Sequence, residues 1–193
     1  MQAKKLTDFI KVYDDMITPD ICNDIIELYE SNKDHHDRID REYRPNFTQF
    51  NLTQFVNSGA STAQSKLIHD NVTKTLLSTV NLYMIDLSIT NELPSQYALE
   101  EVRIKKYDAN RTDQFADHVD VGDHNSARRF LAFFLYLTEN QFEGQTNFTY
   151  LDLSIDPKPG RILVFPPLWL FPHAGMPVGK SEKYIVGSYC HYL

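Results

Sequence analysis

The chain contains few of the residues that mark repetitive, cross-linked or membrane-spanning proteins. Its 193 residues include 7 Gly, 9 Pro and 2 Cys, which excludes a collagen-like repeat, a low-complexity array and a disulfide-rich scaffold. Cys22 and Cys190 are far apart and form no CxxC pair, so we expect both to be reduced thiols. No apolar run is as long as a signal peptide or a membrane span. We therefore expect a cytoplasmic protein with no membrane partner.

Positive charge is also scarce. The chain has 19 Lys and Arg against 26 Asp and Glu, which gives a formal net charge of −7. Nucleic-acid backbones are bound by basic surfaces, so we expect no nucleic-acid partner. Hydrophobic residues make up 42% of the sequence, enough for a substantial core. No linker interrupts the sequence, which predicts a single domain over residues 1–193.

The first half of the sequence has mainly helical periodicity. Thr18 followed by Pro19 is typical of a helix N-terminus, and we expect this helix to end near Ser31. An apolar stripe with a spacing of three and four residues predicts a longer helix from about Ser61 to Leu87. We interpret residues 1–90 as a helical support for the rest of the chain.

Two segments between these helices have no helical period. The charged segment Lys33–Arg44 has no period at all, so we expect a loop. It is followed by a tandem repeat, NFTQF at Asn46–Phe50 and NLTQF at Asn51–Phe55. The Thr and Phe content of the repeat favours a strand.

From Leu99 onward, short β-branched and aromatic runs alternate with turn residues. The runs are Val102–Tyr107, Arg129–Thr138, Thr146–Leu151, Arg161–Phe165 and Tyr184–His191. Many short strands at even spacing predict an antiparallel jelly-roll barrel over about residues 99–193, buttressed by the N-terminal helices. The predicted fold class is therefore mainly β with N-terminal helices.

Three side chains in this half form a candidate metal site. His118 and Asp120 are separated by one residue, and on an extended strand their side chains would point to the same face. His173 precedes the last predicted strand and supplies a third ligand. Two histidines and one carboxylate are the ligand set of non-haem Fe(II) oxygenases. Taken singly, the pair also fits a surface turn and His173 a half-buried histidine, so the surrounding sequence has to decide.

The surrounding sequence has a family pattern. His173 follows His118 by 55 positions, and Lys183 follows His173 by ten. In these intervals the chain from about Leu99 to Leu193 resembles the 2-oxoglutarate/Fe(II)-dependent dioxygenases, specifically the prolyl 4-hydroxylase-like branch. Further segments resemble that branch in the same order: Arg103–Tyr107, Phe134–Thr138, Pro157–Phe165 and His173–Val178.

One turn departs from the family pattern. The G-G-x-T turn of the family is represented by Glu143-Gly144-Gln145-Thr146, in which the first glycine is absent. This departure leaves the geometry of the turn open, whereas it does not affect the three candidate metal ligands.

The resemblance implies a cofactor set and a role for each site residue. It implies a double-stranded β-helix (jelly-roll, cupin-like) in which His118, Asp120 and His173 are the catalytic, Fe(II)-binding residues. 2-Oxoglutarate and O2 are the expected co-substrates, with ascorbate as a reductant. The distal carboxylate of 2-oxoglutarate needs a buried cation, and Lys183 is expected to supply it. Tyr107 or Tyr136 would add a hydroxyl donor to the same carboxylate.

The function that the resemblance implies is hydroxylation of a C–H bond, with a prolyl residue in a peptide or protein as the substrate. The segments Lys33–Arg44 and Val121–Arg129 are expected to border the substrate groove. Two alternatives stay open: a hydroxylase of a free amino acid or other small molecule, and a non-catalytic cupin-like metal-binding protein. Lys183 argues against the second, because a non-catalytic cupin needs no carboxylate-pairing lysine at that place.

Overall fold

The computed structural model describes residues 5–41 and 45–193, which form a mainly β fold with helices on one side. The helices are α1 (Pro19–Glu30), α2 (Leu52–Val56) and α3 (Ala63–Leu87). The strands are β1 (Lys11–Tyr13), β2 (His36–Asp40), β3 (Asn46–Asn51), β4 (Tyr97–Leu99), β5 (Arg103–Tyr107), β6 (Phe115–His118), β7 (Arg129–Tyr136), β8 (Thr146–Phe148), β9 (Leu153–Ile155), β10 (Ile162–Phe165), β11 (His173–Gly175) and β12 (Lys183–Tyr192). In the part of the chain that is described, no helix is both long and apolar enough to cross a bilayer.

The strands form two antiparallel sheets. The larger sheet has the order β1-β10-β7-β12-β5-β3-β2, and β4 also pairs with β12. The smaller sheet has the order β6-β11-β8-β9. Two antiparallel sheets buttressed by helices are the jelly-roll arrangement that the sequence predicts, and the predicted fold class is confirmed.

The core lies on both faces of the large sheet. On β7, Phe133 and Leu135 pack with buried residues of α1 and α3, whereas Phe134 and Tyr136 pack between the two sheets. Both faces of this strand are therefore buried, which explains why its sequence is a continuous apolar run rather than an alternating one. The helices cover the outer face of the large sheet, and the inner face, turned toward the small sheet, is left to form a cavity.

The predicted helices are present. The side chain of Thr18 accepts a hydrogen bond from the backbone N–H of Ile21, and Pro19 is the first residue of α1. The long helix begins after Thr62, whose side chain accepts a hydrogen bond from the N–H of Ser65. Both starts follow the ordinary chemistry of helix N-termini, so their position can be predicted from the local sequence.

The first ninety residues are not only a helical support, which corrects the prediction. β1, β2 and β3 all belong to the large sheet. The predicted loop Lys33–Arg44 is wrong for residues 36–40, which form β2, and its residues 42–44 lie outside the described residues. β2 is an edge strand, and edge strands commonly carry charged side chains. Arg38 on β2 donates two hydrogen bonds, both of 2.7 Å, to the buried carboxylate of Asp113.

The tandem repeat adopts two different structures. The first copy forms β3, whereas most of the second copy forms α2. Asn51 ends the strand, and its side chain accepts a hydrogen bond from the N–H of Gln54 at the start of the helix. Thr53 accepts a second one, from the N–H of Val102. These tertiary and capping contacts outweigh the similar local propensities of the two copies.

We expect the Gly160→Ala variant to be less stable than the wild type. Gly160 has φ +77°, and a Cβ there would overlap the backbone carbonyl of Ile17. A non-glycine residue in such a conformation costs about 1–3 kcal/mol, which corresponds to a melting temperature lower by roughly 2–12 °C in a protein of this size. Thermal unfolding checks this result. Gly122→Ala is the matched control because a Cβ at Gly122 meets no atom within 4 Å, and equal melting temperatures of the two variants would contradict the prediction.

Candidate active site

The structure brings together the three side chains of the candidate metal site. His118 ends β6, His173 begins β11, and the two residues lie opposite each other in the small sheet. The Asp120 carboxylate lies between the rings, with Oδ1 at 3.3 Å from Nε2 of His118 and Oδ2 at 3.5 Å from Nε2 of His173. One ligand atom from each residue lies within 4.8 Å of the other two.

Asp120 reaches the cluster, but not through the strand alternation that its spacing from His118 suggested. β6 ends at His118, and Asp120 lies two residues beyond it in a bend. The alternation of side chains along a strand therefore does not orient this carboxylate. Two neighbours hold it instead: the Tyr189 hydroxyl donates to Oδ1 over 2.9 Å, and the Arg129 guanidinium donates to the backbone oxygen over 3.0 Å.

The donor atoms of the cluster fit a divalent metal ion. Nε2 of His118, Oδ2 of Asp120 and Nε2 of His173 are buried and have no hydrogen-bond partner among the described residues. In both rings Nδ1 lies within hydrogen-bond distance of a backbone carbonyl, 2.8 Å in His118 and 3.1 Å in His173. This contact favours the tautomer with the proton on Nδ1 and the lone pair on Nε2, as in metal-binding histidines. Buried polar atoms without partners are rare, and three of them in one cluster form a donor set that fits a metal ion such as Fe(II).

The charge state of the cluster is suited to metal binding. Burial lowers the pKa of His173 to about 4, so its ring is neutral at pH 7. Burial also acts to raise the pKa of Asp120, but the neighbouring imidazoles of His118 and His173 and the Lys105 ammonium outweigh it and hold that pKa at about 2. The site therefore presents an ionised carboxylate and a neutral imidazole, which are the forms that bind a metal.

Lys183 lies in the same cavity as the cluster. Its side chain is buried, and its ammonium donates hydrogen bonds to the carbonyls of Gly144, over 2.9 Å, and Met176, over 3.2 Å. The ammonium also lies 4.3 Å from the centroid of the Tyr107 ring, within the range of a cation–π contact. Burial lowers the pKa of Lys183 to about 7. A buried ammonium held only by neutral groups is a suitable partner for a ligand carboxylate.

The turn that departs from the family pattern supports Lys183. Gly144 has φ +71°, and a Cβ there would lie 2.7 Å from Val178 and 3.1 Å from the Lys183 side chain, so only glycine fits. Glu143 stands where the family has the first glycine. Its carboxylate accepts hydrogen bonds from the N–H groups of Gly179, over 2.7 Å, and Lys180, over 3.1 Å. The glutamate thus ties the turn to the segment that leads into β12.

Both candidate tyrosines line this cavity. Tyr107 lies opposite Lys183 in the β5–β12 ladder, and the Tyr136 hydroxyl lies 2.7 Å from the hydroxyl of Thr146. Burial raises the pKa of both phenols, so they stay protonated and can donate hydrogen bonds. The residues that line the cavity are Lys105, Tyr107, Phe115, His118, Asp120, Phe134, Tyr136, Thr146, His173, Gly175, Lys183, Ile185 and Tyr189.

The sequence analysis missed the cavity residues Lys105 and Tyr189, and it placed Arg129 only at the end of the border segment Val121–Arg129. Strand alternation provides a signal for both cavity residues, because residues two apart on a strand share a face. Counting from Tyr107 leads to Lys105, and counting from Lys183 leads to Tyr189. Nothing in the sequence indicates that Arg129 holds Asp120, because this contact forms only through the fold.

Comparisons with known proteins find similar sequences. Residues 102–191 match the model of the 2OG-Fe(II) oxygenase superfamily. A protein of Acanthamoeba polyphaga mimivirus named "Putative prolyl 4-hydroxylase" is 33% identical over 110 residues, which are 52% of this chain and 42% of that protein. The chain therefore matches less than half the length of this relative.

Solved structures share the fold over almost the whole chain. A viral collagen prolyl hydroxylase from Paramecium bursaria Chlorella virus-1, solved as a 2OG complex, has a TM-score of 0.69 at 18% identity, covering 96% of this chain and 97% of its own. A Pseudomonas putida prolyl-4-hydroxylase has a TM-score of 0.68 at 15% identity, covering 96% and 93%. A prolyl hydroxylase from Trichoplax adhaerens, in complex with a hypoxia inducible factor peptide fragment, has 0.68 at 14% identity, covering 96% and 84%.

The fold and the site together define a jelly-roll protein with a buried His-Asp-His cluster. Residues 102–191 match the model of the 2OG-Fe(II) oxygenase superfamily, so the resemblance seen in the sequence is confirmed. The name of the superfamily gives its two cofactors, 2-oxoglutarate and Fe(II), as the sequence predicts.

Proposed function

We propose that this protein is an Fe(II)- and 2-oxoglutarate-dependent dioxygenase that hydroxylates a prolyl residue in a peptide or protein. One observation carries the proposal: three metal-type donor atoms without hydrogen-bond partners share a cavity with the buried ammonium of Lys183. When bound, Fe(II) and 2-oxoglutarate would supply the oxidising chemistry, in which O2 and 2-oxoglutarate give succinate, CO2 and one hydroxyl group on the substrate.

The residues of the chain would bind and orient the reactants. His118, Asp120 and His173 would hold the metal, and Lys183 would pair with the distal carboxylate of 2-oxoglutarate, which otherwise would be buried without a counter-ion. Tyr107 and Tyr136 are placed to donate hydroxyl hydrogen bonds in the same part of the cavity.

Aromatic side chains would keep the site dry. The Phe115 ring stacks on His118 with a centroid distance of 3.5 Å, and Phe134 and Phe148 pack around His173. A site from which water is excluded strengthens each electrostatic contact with the ligands.

A proline-containing peptide is the substrate class with the most support. The similar solved structures are named prolyl hydroxylases, and one of them holds a peptide fragment. An extended proline segment loses little conformational entropy when it docks in a groove. A polar cleft of about 550 Å³ adjoins Asp120 and is lined by several residues of the predicted border segment Val121–Arg129. The other predicted border, Lys33–Arg44, contributes no described residue to this cleft or to the metal-site cavity.

The test is 2-oxoglutarate turnover by the Fe(II)-loaded protein with a panel of proline-containing peptides and free amino acids. We expect peptides to increase succinate formation above the uncoupled background and to gain one oxygen atom on a proline ring, as measured by mass spectrometry. Stimulation by free proline or another amino acid, with the peptides inert, would contradict the peptide assignment and favour the small-molecule alternative. If the protein does not turn over 2-oxoglutarate under any of these conditions, the proposal that it is a dioxygenase is contradicted.

A further inference from the structure

Lys105 is a cation in the active-site cavity for which the described residues provide no anionic partner. It lies on β5 two residues from Tyr107, on the face of the large sheet that lines the cavity. Its ammonium forms no hydrogen bond or ion pair with any residue that the structure describes. Two aromatic rings lie close to it, with the centroids of Phe47 and Phe115 at 5.0 Å and 5.9 Å from Nζ.

Apart from Lys183, the neighbouring cations of Lys105 among the described residues have carboxylate partners. Arg103 pairs with Glu101, Lys106 pairs with Glu30 and Glu182, and Arg129 pairs with Glu100. Lys105 is half-buried, and burial lowers its pKa only to about 8, so it remains charged at pH 7. A partly desolvated ammonium without a counter-ion is unfavourable, and a carboxylate from a ligand would remove that cost.

Lys105 and Lys183 lie in different parts of the cavity. Lys183 pairs with Tyr107 in the β5–β12 ladder, whereas Lys105 pairs with Ile185, about 6–7 Å further along the strands. The ammonium of Lys105 lies 3.8 Å from the position that a Cβ on Gly187 would occupy, which places it beside β12. The Phe115 ring, whose centroid lies 5.9 Å from Nζ of Lys105, stacks on the ring of His118. Lys105 therefore lies toward the metal cluster, and Lys183 lies at the far end.

We propose that Lys105 binds a carboxylate of the substrate beside the prolyl ring. The inference rests on the proposed function, because 2-oxoglutarate would then engage Lys183 and leave Lys105 for the other ligand of the cavity. The preferred substrate is a proline with an acidic group next to it. The carboxylate has two possible sources, an Asp or Glu side chain adjacent to the proline or the C-terminal carboxylate of the proline itself.

The experiment compares matched peptides on matched variants. One pair has Glu or Gln next to the proline, and the other ends in proline with a free or an amidated C-terminus. Each pair is tested on the wild type, Lys105→Met, Lys105→Arg and the control Lys180→Met, which removes an exposed lysine. Two quantities are measured: kcat/KM for hydroxylation, and binding of labelled peptides to the protein loaded with Mn(II) and 2-oxoglutarate.

We expect the wild type to favour the acidic member of one pair by at least about tenfold, the effect of a charge-assisted hydrogen bond. The pair that shows the preference identifies the source of the carboxylate. The preference should fall to about one in Lys105→Met and persist in Lys105→Arg and Lys180→Met. If Lys105 had a purely structural role, Lys105→Met would instead lower kcat/KM and binding equally for both peptides of a pair.

Three results would overturn the inference. In the first, the wild type shows no preference in either peptide pair. In the second, the preference for the acidic peptide persists in Lys105→Met. In the third, Lys105→Met loses affinity for 2-oxoglutarate rather than the peptide preference. Failure of the proposed function is a separate result, since it would appear as an absence of peptide hydroxylation by the wild type. In that case the binding measurement still tests whether Lys105 binds a substrate carboxylate. Peptides that do not bind, or that bind without a preference for the acidic member of a pair, would contradict the inference.

Discussion

Replacement of Asp120 by Asn is expected to lower the affinity for a divalent metal by more than about 100-fold and to reduce 2-oxoglutarate turnover to background. Loss of a residue that only hydrogen-bonds to a metal ligand already lowers metal affinity or activity by about 10–100-fold, and loss of a ligand should cost more. Asp120 supplies the negative charge of the cluster, and its Oδ2 has no hydrogen-bond partner. The amide of Asn keeps the size of the side chain and still accepts the hydrogen bond from Tyr189. The loss would therefore be a loss of charge and of a ligand rather than of packing.

The measurement is a titration of the purified apoprotein with Mn(II) or Co(II), both of which accept imidazole and carboxylate ligands. Asp117→Asn is the matched control, because Asp117 is an exposed aspartate on β6 whose carboxylate contacts only Thr149 among the residues described. Thermal unfolding shows whether each variant is folded. Near wild-type metal affinity and turnover in a folded Asp120→Asn variant would disprove the ligand assignment.

Replacement of Lys183 by Ala is expected to weaken 2-oxoglutarate binding by at least about 100-fold, since removal of one partner of a buried ion pair costs about 3–5 kcal/mol. Metal binding should survive, because the Lys183 ammonium contacts Gly144 and Met176 and none of the three candidate ligands. Lys183→Met provides a second variant that fills the same space without charge. Lys180→Ala, which removes an exposed lysine of the same segment, is the control.

The pH dependence gives the same prediction a distinct signature. Burial lowers the pKa of Lys183 to about 7, so the free ammonium is charged below this pH and neutral above it. A bound carboxylate raises that pKa. The affinity for 2-oxoglutarate should therefore be highest below pH 7 and fall above it by up to about tenfold per pH unit. In Lys183→Arg the affinity should change little with pH, because a guanidinium stays charged. Titrations of Mn(II)-loaded protein between pH 6 and 9 test this, and identical profiles for both proteins would rule out the assigned role.

The elements that the sequence predicts correctly are those with a local cause. α1 and α3 combine capping side chains with an apolar stripe, and β7 and β12 are long apolar runs bounded by turns. β2 was missed because its charged residues have no period, and it becomes a strand only through its ladder with β3. An edge strand receives its structure from its neighbour, and that contact leaves no local pattern.

The repeat shows the limit of local information most directly. NFTQF and NLTQF differ at one position, yet the first copy lies in a sheet and most of the second copy forms a helix. The outcome depends on Asn51 and Thr53, which accept hydrogen bonds from the N–H groups of Gln54 and Val102. Val102 is distant in the sequence, so a window of a few residues cannot predict the structure of the second copy.

The sequence by itself determined which candidate ligands the chain carries: the order and spacing of His118, Asp120, His173 and Lys183 suffice to indicate the family that it resembles. The tertiary structure decided how these groups are presented. It places Asp120 through Tyr189 and Arg129 rather than through strand alternation, and it leaves Lys105 in the cavity without a counter-ion. The physical reason is that ligand identity is a property of single side chains, whereas orientation, burial and the absence of a partner depend on residues that meet only after folding.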